Sequence, residues 1–170
     1  MSSPDGVIFV IDDDEEMVKA LSRMLRARKF EVRGFTSVSE FFEVYTLEKI
    51  ACLVLDVAMP GLDGLEVQQL LTHQGILIPI VFLTGHGDIP MSVRAIKAGA
   101  IDFLTKPVDA DILADAVTRA LKIAETQHRE IAETAGHRAI AAMMSFVDSS
   151  DPAAGRLASE RRLEARRAGR

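Results

Sequence analysis

The sequence predicts an α/β fold: a doubly wound parallel sheet of five strands, with helices on both faces. Three observations carry this reading. The runs VIFVI, CLVLDV and IVFL (residues 7–11, 52–57 and 80–83) are almost continuously apolar, as strands buried on both faces must be. Between the strand-like segments, apolar residues recur every three or four positions, the period of a helix face. The links are short, so strand and helix alternate five times, and right-handed crossovers then bring the strands into one parallel sheet.

Each element follows from its own residues. After the first strand, Met17, Val18, Leu21, Met24 and Leu25 form one helical face. Asp14, Glu15 and Glu16 stand at its start, where negative charge suits the helix dipole. Glu31–Phe35 reads as a short strand, and residues 37–45 as a helix opened by a serine or threonine cap and carrying Phe41, Phe42 and Tyr45. The strand over 52–57 contains Asp56. The turn AMPGLDG follows, in which Pro60 and Gly61 suit a tight bend and Asp63 caps the next helix, with Leu65, Val67, Leu70 and Leu71. The strand over 80–83 ends at Thr84. Gly85 and Gly87 loosen the loop before a helix with Val93, Ala95 and Ile96, which Gly99 terminates. Asp102–Thr105 is the last strand and runs into Lys106 and Pro107. A fifth helix starts near Asp109 and presents Ile112, Leu113, Ala116, Val117, Ala120 and Leu121.

The 170 residues suffice for one well-buried domain with an appendage, not for two full-sized domains. Charge divides the chain: residues 1–125 hold 12 basic and 19 acidic side chains (net −7), and residues 126–170 hold 8 and 6 (net +2), which together give the formal −5. We therefore expect a globular domain over 1–125 and a chemically distinct extension over 126–170. The net negative charge gives no general attraction to nucleic acid. Cys52 is the single cysteine, which excludes an internal disulfide and a cysteine-based zinc cluster. Its apolar surroundings suit a buried structural thiol. No signal peptide is visible, and the longest apolar stretch, GILIPIVFL, falls well short of the roughly 20 residues of a membrane span. A cytoplasmic location without membrane contact is expected.

In parallel sheets of this kind, sites lie outside the carboxyl ends of the strands. Asp12 with Asp13, Asp56, Thr84 and Lys106 all fall there, on strands one, three, four and five. Three carboxylates gathered within a few ångströms repel by several kcal/mol unless a cation joins them. Only oxygen donors are offered, which suits a hard divalent ion such as magnesium, with coordination sites kept for water and phosphate oxygens. Lys106 adds a fixed positive charge and Thr84 a hydroxyl. Such a set is a receptor for a phosphoryl group on, or arriving at, a carboxylate, because phosphoryl transfer depends chiefly on positioning and charge neutralisation. Each residue alone has a plainer reading: Asp12 and Asp13 as turn acids, Asp56 as a loop acid, Thr84 as a strand-end threonine, Lys106 as a solvated terminus. Their convergence on one sheet edge favours the site. Asp14, Glu15 and Glu16 belong to the helix and are not counted as ligands.

The acidic pair Asp12-Asp13, LVLDVAMPGLDG around Asp56, LTGHGD with Thr84 and FLTKP with Lys106 also carry a family resemblance. Over roughly residues 5–125 the chain resembles the receiver domain of a two-component response regulator. The stretch TGHGDIPMSVRAIKAGAIDFLTKP resembles most closely the branch that includes the nitrogen-fixation regulator FixJ. The resemblance implies a flavodoxin-like, CheY-like sheet of strand order 2-1-3-4-5. It implies that Asp56 accepts a phosphoryl group from the phosphohistidine of a sensor histidine kinase. Asp13 would bind Mg2+ (or Mn2+) directly and Asp12 mostly through water, with Asp56 and the backbone carbonyl of Ala58 as further ligands. Thr84 would bond a phosphoryl oxygen and turn inward on activation, with Phe103 following, although Phe103 taken alone reads as core packing. Lys106 would pair with Asp56 before phosphorylation and with the phosphoryl group afterward, and the Lys106-Pro107 bond would be cis. Gly85 and His86 would lie at the access to the site, where the plainer reading of His86 is an exposed loop residue.

The tail departs from this pattern. Regulators of the branch usually carry a DNA-binding helix-turn-helix module, and residues 126–170 show no such set of compact helices. Residues 126–147 would continue the fifth helix, with Ile131, Ile140, Met143, Met144 and Phe146 on an irregular apolar face that Gly136 interrupts. DSSDPAAG reads as a linker, and RLASERRLEARRAGR as a solvated or disordered end rather than a basic helix for nucleic acid. These features favour a single-domain regulator that signals by docking a partner or by drawing phosphoryl groups from a kinase. They argue against DNA binding, with a transcriptional regulator of missing or atypical output as the alternative. A magnesium-dependent aspartyl phosphatase, the third class, generally needs an acid two residues after the nucleophile, where Ala58 stands; the chain is expected to be a phosphoacceptor and not an enzyme. A second copy of the chain is a further expected partner, through the fourth helix and fifth strand or the extended fifth helix.

Overall fold

The computed structural model describes residues 5–46 and 49–150. Five strands, β1 (Val7–Ile11), β2 (Glu31–Phe35), β3 (Ala51–Asp56), β4 (Ile80–Thr84) and β5 (Asp102–Thr105), alternate with five helices, α1 (Glu15–Arg26), α2 (Val38–Val44), α3 (Gly64–His73), α4 (Ile89–Lys97) and α5 (Ala110–Ser150). Neighbouring strands are all parallel, in the order β2-β1-β3-β4-β5. This is the predicted α/β architecture, and the strand order turns back at β1 and β3.

The two-residue period of a strand divides the core between the two faces. Phe9, Ile11, Leu53, Leu55 and Phe82 pack with Phe41 of α2, Val67 and Leu71 of α3 and Ala95 of α4. Ile8, Val10, Val54, Val81 and Leu83 pack on the opposite side with Leu21 and Leu25 of α1 and Leu113, Val117 and Leu121 of α5. Because both faces are covered, β1, β3 and β4 are buried at every residue. Each fully buried leucine or phenylalanine contributes roughly 1.5–3 kcal/mol. Edge strand β2 buries only Val32. Cys52 is buried, which pushes its thiol well above the ordinary range, as suits an inert structural residue.

Local signals set the helix ends. Asp14 and Ser37 cap α1 and α2, accepting from Glu16 N and Glu40 N. At α3, Asp63 and Glu66 form a reciprocal capping box. Gly99, just past α4, has a φ of +105° that a side chain would strain.

Two expectations about the extension are corrected. Gly136 does not interrupt α5, which runs through it to Ser150. Glycine inside a helix costs only about 1 kcal/mol relative to alanine, and Ala132, Ala135, Ala139, Ala141 and Ala142 surround it with strong helix formers. The first three residues of the expected DSSDPAAG linker are likewise helical; the first true helix breaker, Pro152, comes later in the sequence. The rest of that linker, the side chain of Phe146 and the arginine-rich stretch 156–170 lie outside the described residues. The chain divides into two compact units, Met1–His128 and Arg129–Arg170. In the second unit, Ile131, Ile140, Met143 and Met144 are exposed. Among the described residues, no helix is long and apolar enough to cross a membrane.

Candidate functional site

The parallel strands deliver their last residues to one edge of the sheet. β1 ends at Ile11, and the Asp12 N–H still donates to Phe35 O of β2 at 3.2 Å, so Asp12 continues the sheet and is buried. One of its oxygens, Oδ1, accepts from Asp14 N at 2.9 Å. Asp13 projects to solvent, and Asp14 is committed to the cap of α1. β3 ends in the buried Asp56, and β4 in the buried Thr84. Beyond β5, the Lys106 N–H donates to Thr84 O at 2.7 Å, which fixes the start of the lysine side chain against β4. The Lys106-Pro107 peptide bond is cis.

Four of the predicted side chains converge. Carboxylate oxygens of Asp12, Asp13 and Asp56 lie within 4.8 Å of one another. Lys106 Nζ donates to Asp12 Oδ2 at 2.7 Å and to Asp56 Oδ1 at 3.2 Å. The resemblance leads one to expect a lysine paired with Asp56; here the ammonium bridges both buried acids and sits closer to Asp12. No sequence signal announces that second contact, because it depends on the spacing of β1 and β3 across the sheet edge.

One ammonium does not neutralise three carboxylates. At an effective dielectric near 20, two carboxylates about 4.8 Å apart repel by roughly 3–4 kcal/mol. Burial, with the neighbouring charge of Asp12 and a smaller effect from Asp13, pushes the Asp56 carboxyl above its ordinary range, against the pull of Lys106. Burial disfavours the Lys106 ammonium, yet Asp12 and Asp56 outweigh it and hold its pKa above the ordinary lysine value. A site with excess negative charge and only oxygen donors fits a hard divalent cation.

The other predicted residues surround this centre. Thr84 Oγ1 accepts from His86 N at 3.2 Å. Ala58, Gly85 and His86 are exposed in the loops after β3 and β4. Phe103 is half-buried, its ring centroid 6.1 Å from that of Phe82. The role of Phe82 in this packing was not legible in the sequence, where it is one apolar residue in a buried strand.

Comparison with known proteins places this geometry. Residues 8–118 match the family described as the response regulator receiver domain. The response regulator protein TmoT of Ectopseudomonas mendocina is 46% identical over 127 residues, covering 75% of this chain and 58% of that protein. The transcriptional regulatory protein FixJ of Bradyrhizobium diazoefficiens is 41% identical over 120 residues, covering 71% of this chain and 58% of its own length. A solved structure of the response regulator StyR superposes with a TM-score of 0.70 at 45% identity, covering 78% of this chain and 67% of that one. The chain thus spans a little over half the length of the curated relatives TmoT and FixJ. Five parallel strands in this order, a triad of acids with a lysine at their carboxyl edge and the match over residues 8–118 lead to one conclusion: the chain belongs to the receiver domain family of two-component response regulators.

Proposed function

We propose that this receiver is a phosphoacceptor that takes a phosphoryl group onto Asp56 from the phosphohistidine of a sensor histidine kinase. The observation that carries the reading is the buried Asp56 carboxylate held beside Asp12, Asp13 and the bridging Lys106 ammonium. In the transfer, the phosphorus–nitrogen bond of the phosphohistidine breaks as an Asp56 oxygen bonds to phosphorus. The imidazole leaves with the electron pair and takes up a proton, and Asp56 becomes an acyl phosphate. Lys106, already within hydrogen-bonding distance of Asp56, follows the charge onto the phosphoryl oxygens. Thr84 supplies a hydroxyl to one of them, leaving its bond with His86 N, and Phe103 moves with it.

Asp12, Asp13, Asp56 and the carbonyl of Ala58 are the groups that would hold Mg2+ or Mn2+. Bound there, the ion supplies the positive charge that lets a phosphate dianion approach three carboxylates. With alanine at position 58, no second acid stands two residues after Asp56, which supports a phosphoacceptor over an aspartyl phosphatase. Exposed Gly85 and His86 border the approach; His86→Ala is expected to alter the dephosphorylation rate, and an unchanged rate would remove His86 from the account.

The test is phosphotransfer from an autophosphorylated, radiolabelled sensor kinase. Label should reach the native chain in Mg2+, and neither Asp56→Asn nor EDTA-treated protein should accept it. Equal labelling of Asp56→Asn ends the proposal.

For the output, one reading is partner docking or a phosphoryl sink. A second reading, transcriptional control, is favoured by the relative named a transcriptional regulatory protein, of which this chain spans 58%. A gel-shift with phosphorylated protein separates the two: sequence-specific retention of DNA selects the second, and its absence the first. A second copy of the chain is proposed to meet exposed apolar residues of α4 (Ile89, Val93, Ile96) or of α5 (Ile131, Ile140, Met143). Sedimentation as a monomer at every concentration, with and without phosphoryl donor, would remove that partner.

A further inference from the structure

Behind the carboxylates, two glycines bracket an aromatic pair. Phe82 of β4 is fully buried and stands in register with Phe103 of β5. A methyl group at Gly64 would lie 2.9 Å from Asp56 O and 3.0 Å from Phe82 Cε1. One at Gly87 would lie 2.8 Å from Thr84 Cγ2 and 3.1 Å from Phe103 Cε1. Gly85, in the same loop, has nothing within 4 Å of the equivalent position. Gly87 does not have a positive φ, so its backbone admits any residue. Space, and not conformation, requires glycine at 87.

The crowding at Gly87 falls on two side chains that must move before a methyl group fits. Thr84 is buried, its carbonyl holds Lys106 N at 2.7 Å, and it stands in register with Thr105. Its methyl can escape by rotation to another staggered χ1 well, which also swings the hydroxyl away from His86 N. Phe103 is only half-buried, so part of its surface meets solvent. We infer that Gly87 is a positioning residue: its missing side chain lets the β4–α4 loop close on the Thr84 methyl and the Phe103 ring edge. That closure stabilises the arrangement in which Thr84 Oγ1 accepts from His86 N–H and does not face a phosphoryl group on Asp56. The functional consequence rests on the phosphoacceptor reading; the contact itself does not.

The experiment compares Gly87→Ala, Thr84→Ser, which removes the crowded methyl and keeps the hydroxyl, and the double variant. NMR without Mg2+ or phosphoryl donor should show displaced Thr84 and His86 amide and Phe103 ring resonances in Gly87→Ala, largely restored in the double variant. With acetyl phosphate and Mg2+, Gly87→Ala should label faster, on the order of five- to tenfold, as for touching residues that share one equilibrium. In the Thr84→Ser background the same change should alter the rate by less than about twofold. Native-like resonances in Gly87→Ala, unchanged or slower labelling, or equal acceleration in both backgrounds would overturn the inference. Should native protein fail to label, the phosphoacceptor reading falls, and the resonances still decide the contact. Should Gly87→Ala not fold, the double variant decides: a folded double variant supports the contact, and an unfolded one overturns it.

Discussion

At Asp56, two effects compete, and the balance sets a pH dependence. Burial and the adjacent Asp12 raise the carboxyl pKa more than Lys106 lowers it. A carboxyl that binds its proton more tightly in the folded chain stabilises the fold at acid pH, below the unfolded carboxylate range near pH 4. That contribution is lost as pH rises through the higher folded value. At neutral pH without a divalent ion, ionised Asp56 therefore works against the fold. Asp56→Asn is expected to melt a few degrees above native protein at pH 7 in EDTA, with the gap closing as pH falls toward about 4. A lower melting temperature for Asp56→Asn, or a gap independent of pH, would contradict this. Lys106 shifts in the same direction with the opposite charge, so its contribution is full at neutral pH and is lost only in strong alkali.

The elements were the most legible part of the chain. β2 and β5 coincide with the segments expected from sequence, and the caps Asp14, Ser37 and Asp63 stand where a short polar side chain precedes an apolar period. The Asp63 cap invites a direct check. Asp63 Oδ1 accepts from Glu66 N at 2.8 Å, and Glu66 Oε2 accepts from Asp63 N at 3.0 Å. Asp63→Ala should cost about 1 kcal/mol, read as a lower urea midpoint with an unchanged slope; an unmoved midpoint would show that the cap contributes nothing. The reading of Gly136 as an interruption failed because a single glycine weighs little against a run of alanines. What sequence could not disclose are contacts set by tertiary distance. The Lys106–Asp12 bond spans 94 positions, and the part of the crowding at Gly87 that Phe103 supplies exists because β5 brings that ring beside the β4–α4 loop. A glycine in TGHGD reads as flexibility; in the fold it is clearance.

For the molecule as a whole, the candidate site follows from topology. Five parallel strands must all end on the same edge, so the acids after β1 and at the end of β3, the threonine of β4 and the lysine after β5 reach that edge although their strands are far apart in sequence. The two packed faces fix the strands that end on that edge, which keeps Asp12, Asp13 and Asp56 close enough to repel until a cation joins them. The gathering of Asp12, Asp13, Asp56 and Lys106 was readable from sequence because these residues mark strand ends; the unequal sharing of Lys106 was not. The most direct measurement is mass spectrometry of intact protein after incubation with acetyl phosphate and Mg2+. Native chain should gain the mass of one phosphoryl group, mapped to Asp56 and absent from Asp56→Asn and from samples with EDTA. A phosphoryl group that still appears on Asp56→Asn, or maps to another residue, would contradict the account.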